Sequence, residues 1–102
     1  MSVQHINRQQ LEQLIAEGRT LLLDFYADWC GPCRMLTPVL EEIAEEHPEL
    51  TVCKINVDEE GALAQHFGIV SIPFVALLRG GETVATSLGY RQKDDLLYAL
   101  GL

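Results

Sequence analysis

Residues Leu21-Leu22-Leu23-Asp24-Phe25-Tyr26 form a nearly unbroken apolar run. A strand with one wet face would alternate apolar and polar residues. A run this dense suits a strand covered on both faces, as in a parallel sheet with helices above and below it. The single carboxylate in it, Asp24, is therefore conspicuous. A chain of 102 residues has room for one such core and no second one, so a single domain over residues 1–102 is expected. With 48% hydrophobic and 22% charged residues, the composition is that of an ordinary globular domain, able to build this core without staples.

The flanking segments supply the helices. From Asn7 to Glu17, Leu11, Leu14 and Ile15 recur at helical spacing, Asn7 with Gln10 resembles a capping box, and Gly18 offers a stop. Beyond the apolar run, Leu36, Val39, Leu40 and Ile43 form a stripe opposite Glu41, Glu42, Glu45 and Glu46, which predicts an amphipathic helix ending before Pro48 and kinked at Pro38. Thr51 to Val57 reads as a second buried strand, followed by a short helix with Leu63 and Phe67 that Asp58 is expected to cap. Phe74–Leu78 and Glu82–Leu88 flank Arg79-Gly80-Gly81, the signature of a tight hairpin, and Gln92–Leu100 reads as a closing helix. The pattern is α/β, a mixed sheet with helices on both faces.

Between the first buried run and the amphipathic helix stands Trp29-Cys30-Gly31-Pro32-Cys33. Two thiols three positions apart at a helix start lie close enough to join. A thiolate there is stabilised by unpaired backbone N–H groups and the helix dipole, on the order of 0.3–1 kcal/mol. That lowers the thiol pKa below its usual value of about 8.5 and makes a nucleophile at neutral pH. Gly31 lets the chain bend, and Pro32 falls where its missing N–H costs nothing. The same spacing fits half of a zinc site. Zinc needs two more ligands, and Cys53 falls in a strand read as buried while His47 and His66 lie near the ends of separate helices. An odd count of three cysteines does not suggest a disulfide framework, so the close pair reads as redox-active or metal-binding. Cys53 reads as a small buried apolar residue.

The formal net charge of −8 repels phosphate backbones and anionic lipid surfaces, which argues against nucleic acid or a membrane as partner. The dense acidic stretch from Glu41 to Glu49 reads as a solvated helix face rather than as a docking patch for a basic partner, the other use such a stretch allows. The start, Met1 to Asn7, lacks the basic and apolar regions of a secretory signal, and no apolar run approaches the roughly 20 residues that span a bilayer, so a cytoplasmic location is expected.

The segment Asp24-Phe25-Tyr26-Ala27-Asp28-Trp29-Cys30-Gly31-Pro32-Cys33-Arg34-Met35 closely resembles the signature of the thioredoxin family. Lys54-Ile55-Asn56-Val57-Asp58, Phe67-Gly68-Ile69, Ser71-Ile72-Pro73, Gly80-Gly81-Glu82 and Gly89 follow in the family's order, so the resemblance spans almost the whole chain. It implies a thioredoxin-like three-layer fold around a mixed five-stranded sheet, with elements in the order strand-helix-strand-helix-strand-helix-strand-strand-helix. It also implies a protein-disulfide reductase with no cofactor beyond a redox-active Cys30–Cys33 pair. Cys30, the more exposed, would attack a target disulfide and Cys33 would release the reduced product. Asp24 corresponds to the family's buried proton acceptor, its pKa raised by desolvation, and Lys54 in the next strand is placed to tune it. Trp29 resembles the exposed ring beside the site. Pro73 resembles the family's cis proline, beside which the Ile72 backbone can pair with an extended target, and Gly89 leaves room for it. The expected partners are disulfide-containing proteins and a thioredoxin-reductase-type electron donor, and a monomer is expected.

Four positions depart from the family pattern: Phe74 for threonine, Tyr26 for tryptophan, Ser71 for glycine and Tyr90 for a smaller residue. They touch the docking groove rather than the thiols and so bear on target choice. Two other functions use the same fold, an oxidase or isomerase and a binding module that keeps its cysteines incidentally. Gly31-Pro32 argues against the oxidase.

Overall fold

The computed structural model describes residues 3–102; Met1 and Ser2, which begin the segment read for a targeting signal, lie outside them. Five strands and four helices follow one another as β1 (Val3–His5), α1 (Arg8–Ala16), β2 (Thr20–Tyr26), α2 (Gly31–Glu46), β3 (Leu50–Asn56), α3 (Gly61–His66), β4 (Phe74–Arg79), β5 (Glu82–Leu88) and α4 (Lys93–Leu100). The sheet order is β1-β3-β2-β4-β5. β3 runs parallel to both β1 and β2, whereas β4 is antiparallel to β2 and β5 to β4. The apolar run thus occupies the central strand, and Leu21 through Phe25 are completely buried. Each of these large apolar side chains contributes roughly 1.5–3 kcal/mol by leaving water.

Strand alternation divides the core in two. Leu22, Val52, Val75 and Leu77 face α2 and α4, meeting Leu36, Leu40, Ile43, Leu96 and Leu100. Leu21, Leu23, Phe25, Cys53, Ile55 and Ala76 face α1 and α3, meeting Leu11 and Leu63. Asp24 shares the parity of Leu22 and therefore points to the α2 side. It lies one pleat nearer the end of the sheet where α2 begins.

Local chemistry accounts for the boundaries. The capping box at α1 is complete: Asn7 Oδ1 accepts from the Gln10 N–H and Gln10 Oε1 from the Asn7 N–H, both at 2.8 Å. α2 continues through Pro38 to Glu46. Gly80 and Gly81 both have positive φ, 59° and 80°, as the two-residue hairpin turn requires. Asp58 does not cap α3. The helix begins at Gly61 after Glu60, which makes no side-chain capping bond. The Asn56 side chain instead accepts from the N–H groups of Asp58 and Glu59, and the Asp58 carboxylate takes up the Trp29 indole.

Candidate active site

β2 ends at Tyr26, the chain turns through Ala27–Trp29, and α2 starts one residue after Cys30. Cys30 is the N-cap of α2, in extended conformation, and its Sγ accepts from the Cys33 N–H at 3.2 Å. The sulfur thus occupies the position of a capping oxygen, at the positive end of the helix dipole. Gly31 and Pro32 fill the first helical positions, and a Cβ added at Gly31 would meet only the tip of Arg34. The two cysteines are joined as a disulfide with Cα atoms 5.3 Å apart. Cys30 retains 5% exposure and Cys33 1%, so any attack from outside reaches Cys30 first.

Two further segments converge on this sulfur pair. The Ile72–Pro73 bond is cis, and the Ile72 carbonyl oxygen lies 4.0 Å from Cys30 Sγ. The Gly89 N–H donates to the Pro73 carbonyl at 2.8 Å, which ties the end of β5 to the same loop. Gly89 has φ +85°, a conformation that side chains other than glycine rarely adopt, and the space beside it is open. Trp29 is 70% exposed and is held by its Nε1 donating to Asp58 Oδ2 at 2.9 Å.

Asp24 is fully buried, and neither carboxylate oxygen has a hydrogen-bond partner among the described residues. Loss of hydration raises its pKa to about 7, against the opposing pull of the Lys54 charge. Asp24 and Lys54 are direct neighbours across the β2–β3 ladder. Lys54, itself buried, donates from Nζ to Thr37 Oγ1 at 2.8 Å and lies 4.4 Å from the centre of the Tyr26 ring. The Tyr26 hydroxyl meets His5 Nδ1 at 3.0 Å. Sequence reasoning missed Thr37 and His5, and it gave Asp58 the role of a helix cap rather than that of the Trp29 partner. Thr37 was the most legible of them, a polar residue one turn after Cys33 on the apolar face of α2.

The third cysteine stands apart. Cys53 is completely buried on the α1 and α3 side, and burial pushes its thiol up to about 11. Among the described residues no group of three or more His, Cys, Asp or Glu side chains is placed to hold a metal. None of the helices described is long and apolar enough to cross a membrane. A cavity of about 370 Å³ lies between α1 and α3, remote from the disulfide.

A mixed α/β sheet that presents a vicinal cysteine pair at a helix N-terminus, next to a cis-proline loop, defines a thiol–disulfide oxidoreductase. The thioredoxin family model matches residues 2–101. The chain is 49% identical over 86 residues to a thioredoxin of Alicyclobacillus acidocaldarius, covering 83% of this chain and 82% of the relative. It is 47% identical over 95 residues to a thioredoxin of Listeria monocytogenes, covering 92% and 91%. Among solved structures, a mutant thioredoxin from Halobacterium salinarum superposes with a TM-score of 0.88 at 36% identity, over 99% of this chain and 93% of that one. A thioredoxin from Malassezia sympodialis gives 0.87 at 32% identity, over 98% and 89%. The chain belongs to the thioredoxin family, and its activity is the reduction of disulfides by dithiol–disulfide exchange.

Proposed function

We propose that Cys30 is the attacking thiol, Cys33 the resolving thiol and Asp24 the proton acceptor in the reduction of protein disulfides. In the reduced enzyme the Cys30 thiolate, held by the Cys33 N–H, attacks one sulfur of a target disulfide. The target S–S bond breaks, a mixed disulfide with Cys30 forms, and the first target thiolate leaves to take up a proton. Cys33 then gives its proton to the Asp24 carboxylate, directly or through a water, and attacks the Cys30 sulfur. The second target thiolate is expelled and protonated, leaving the Cys30–Cys33 disulfide. Two electrons and two protons have passed to the target.

The observation that carries this assignment of roles is the capping contact. The backbone N–H of Cys33, at 3.2 Å, is aimed at the Cys30 sulfur and at no other thiol. Lys54 tunes Asp24 from the neighbouring strand. Trp29, Ile72, Pro73 and Gly89 bind the extended target chain, the Ile72 backbone pairing with it as a short β-bridge. Exposed apolar side chains flank those positions in sequence: Met35 beside the cysteines, Val70 before the proline loop, Leu88 and Tyr90 around Gly89. With Phe74 and Ser71 they set target preference.

The 102 residues work as one domain and a monomer in the cytoplasm. A thioredoxin-reductase-type partner returns the electrons, and no cofactor is involved other than the dithiol pair.

Insulin disulfide reduction by the native chain and by the Cys30→Ser and Cys33→Ser variants tests the assignment. Both variants should lose turnover, and Cys33→Ser should accumulate target proteins covalently joined through Cys30. Native turnover no faster than that of either variant, or adducts formed only through Cys53, would overturn it.

A further inference from the structure

Lys54 and Asp24 face each other across adjacent strands, yet they make no ion pair. The ammonium is engaged elsewhere, with the Thr37 hydroxyl at 2.8 Å and with the Tyr26 ring at 4.4 Å from its centre. The Thr37 Oγ1 also lies 3.5 Å from the Cys33 carbonyl oxygen one turn back. Its one hydroxyl hydrogen can therefore point into the helix while a lone pair accepts from Lys54. A hydroxyl thus takes the proton donor that the carboxylate facing it across the ladder, with both its oxygens unpartnered, would otherwise attract.

We propose that Thr37 is a positioning residue of the redox site: its hydroxyl holds the Lys54 ammonium off Asp24, so that the buried carboxylate feels the cation without being locked into a contact pair. This rests on Asp24 being the proton acceptor. A contact ion pair lowers a carboxyl pKa by about 1–3 units and would leave Asp24 too weak a base to take a proton from a thiol. Removal of the cation leaves desolvation unopposed, and the carboxyl would then stay protonated at neutral pH. The position enforced by Thr37 lies between these limits.

Few other groups facing Asp24 can titrate. β3 contributes Lys54 and its own strand contributes Tyr26, while Cys33, in the first turn of α2, does not titrate as long as the disulfide is intact. β4 presents Val75 and α4 presents Leu96 and Leu100 to that face, while His5 of β1 meets the hydroxyl of Tyr26.

The test is the titration of the Asp24 carboxyl, followed by carbon NMR of aspartate-labelled protein in the oxidised state, where no thiol of the pair ionises. Thr37→Val removes the acceptor at constant volume, and the Asp24 midpoint should fall by about one unit or more as Lys54 turns to the carboxylate. Thr37→Ser should restore the native midpoint. Lys54→Met should raise the midpoint, and adding Thr37→Val to it should change nothing further. An unchanged or raised midpoint in Thr37→Val sinks the proposal, as does an equal shift in the Lys54→Met background. Thr37→Ala provides the same readout should the valine variant not fold. Because the midpoint is read without substrate, it answers separately from the role of Asp24 in turnover, which the pH profile of Asp24→Asn decides.

Discussion

Each residue proposed to act at this site owes its chemical character to a backbone position. Cys30 is a helix cap, so a sulfur stands where a capping oxygen would accept a hydrogen bond. Asp24 is a core position of the central strand, so it loses water without gaining a hydrogen bond, and its pKa rises to about 7. A base with that pKa is half-ionised near neutrality, so the resolving step in the native chain should quicken as pH rises through about 7. Asp24→Asn should flatten that inflection and slow the resolving step by up to about 10²-fold, the lower end of what a positioned base supplies. Rapid mixing of the reduced protein with a chromogenic disulfide between pH 5.5 and 8.5 measures it, and a variant whose rates track the native ones throughout denies the acceptor role. The same physics separates the thiols. Cys53, with a pKa of about 11 and no exposure, should stay unmodified when the reduced native protein is treated with iodoacetamide at pH 7. Peptide mapping should find the label on Cys30 before any other cysteine.

At the scale of elements, α1 illustrates how far local chemistry alone can go. Both halves of its capping box are formed, and Asn7→Ala breaks the one bond that the side chain supplies to Gln10 N–H. The expected loss is about 1 kcal/mol, a fall in Tm of about 4–8 °C for a domain of this size, readable by calorimetry. That cap was legible in the sequence because Asn7 and Gln10 are three residues apart and need nothing else. The hairpin was legible for the same reason, since Gly80-Gly81 joins β4 and β5 unaided. β1 was not readable from local pattern: three residues show no periodicity, and its register against Val52–Lys54 exists only through tertiary pairing. It came from family resemblance. The cap assigned to Asp58 failed because α3 begins three residues later, after Glu60, and the bond its carboxylate accepts instead comes from an indole 29 residues away, which leaves no local trace. The cysteine pair, Asp24 and the proline loop could be named in advance. The hydrogen bond between Thr37 and Lys54 could not, since it depends on α2 crossing β3 at one particular height.

For the molecule as a whole, the buried carboxylate of Asp24 is a cost to folding, and the sign of its pH dependence follows from its two pKa values. In the unfolded chain Asp24 ionises near its ordinary 3.8, and in the folded protein near 7. Below about pH 4 both states hold the proton, and the group leaves stability unchanged. Between about 4 and 7 the unfolded state binds fewer protons than the folded one, so stability falls as pH rises, by about 1.4 kcal/mol per unit. Above 7 both states are ionised and the loss levels off, at roughly 4 kcal/mol for a shift from 3.8 to about 7. Other ionisable groups act in the same range, and the net charge of −8 adds its own repulsion, but these contributions are common to the native chain and to Asp24→Asn. Their difference in unfolding free energy therefore isolates the one carboxyl. Urea unfolding of the two oxidised proteins should give equal stabilities near pH 4 and an advantage for Asp24→Asn that widens through pH 5.5. Near pH 8 that advantage should reach a few kcal/mol. A difference that stays constant across this range would mean that Asp24 ionises alike in both states, and that the central strand does not hold its carboxyl in the protonated form below neutrality.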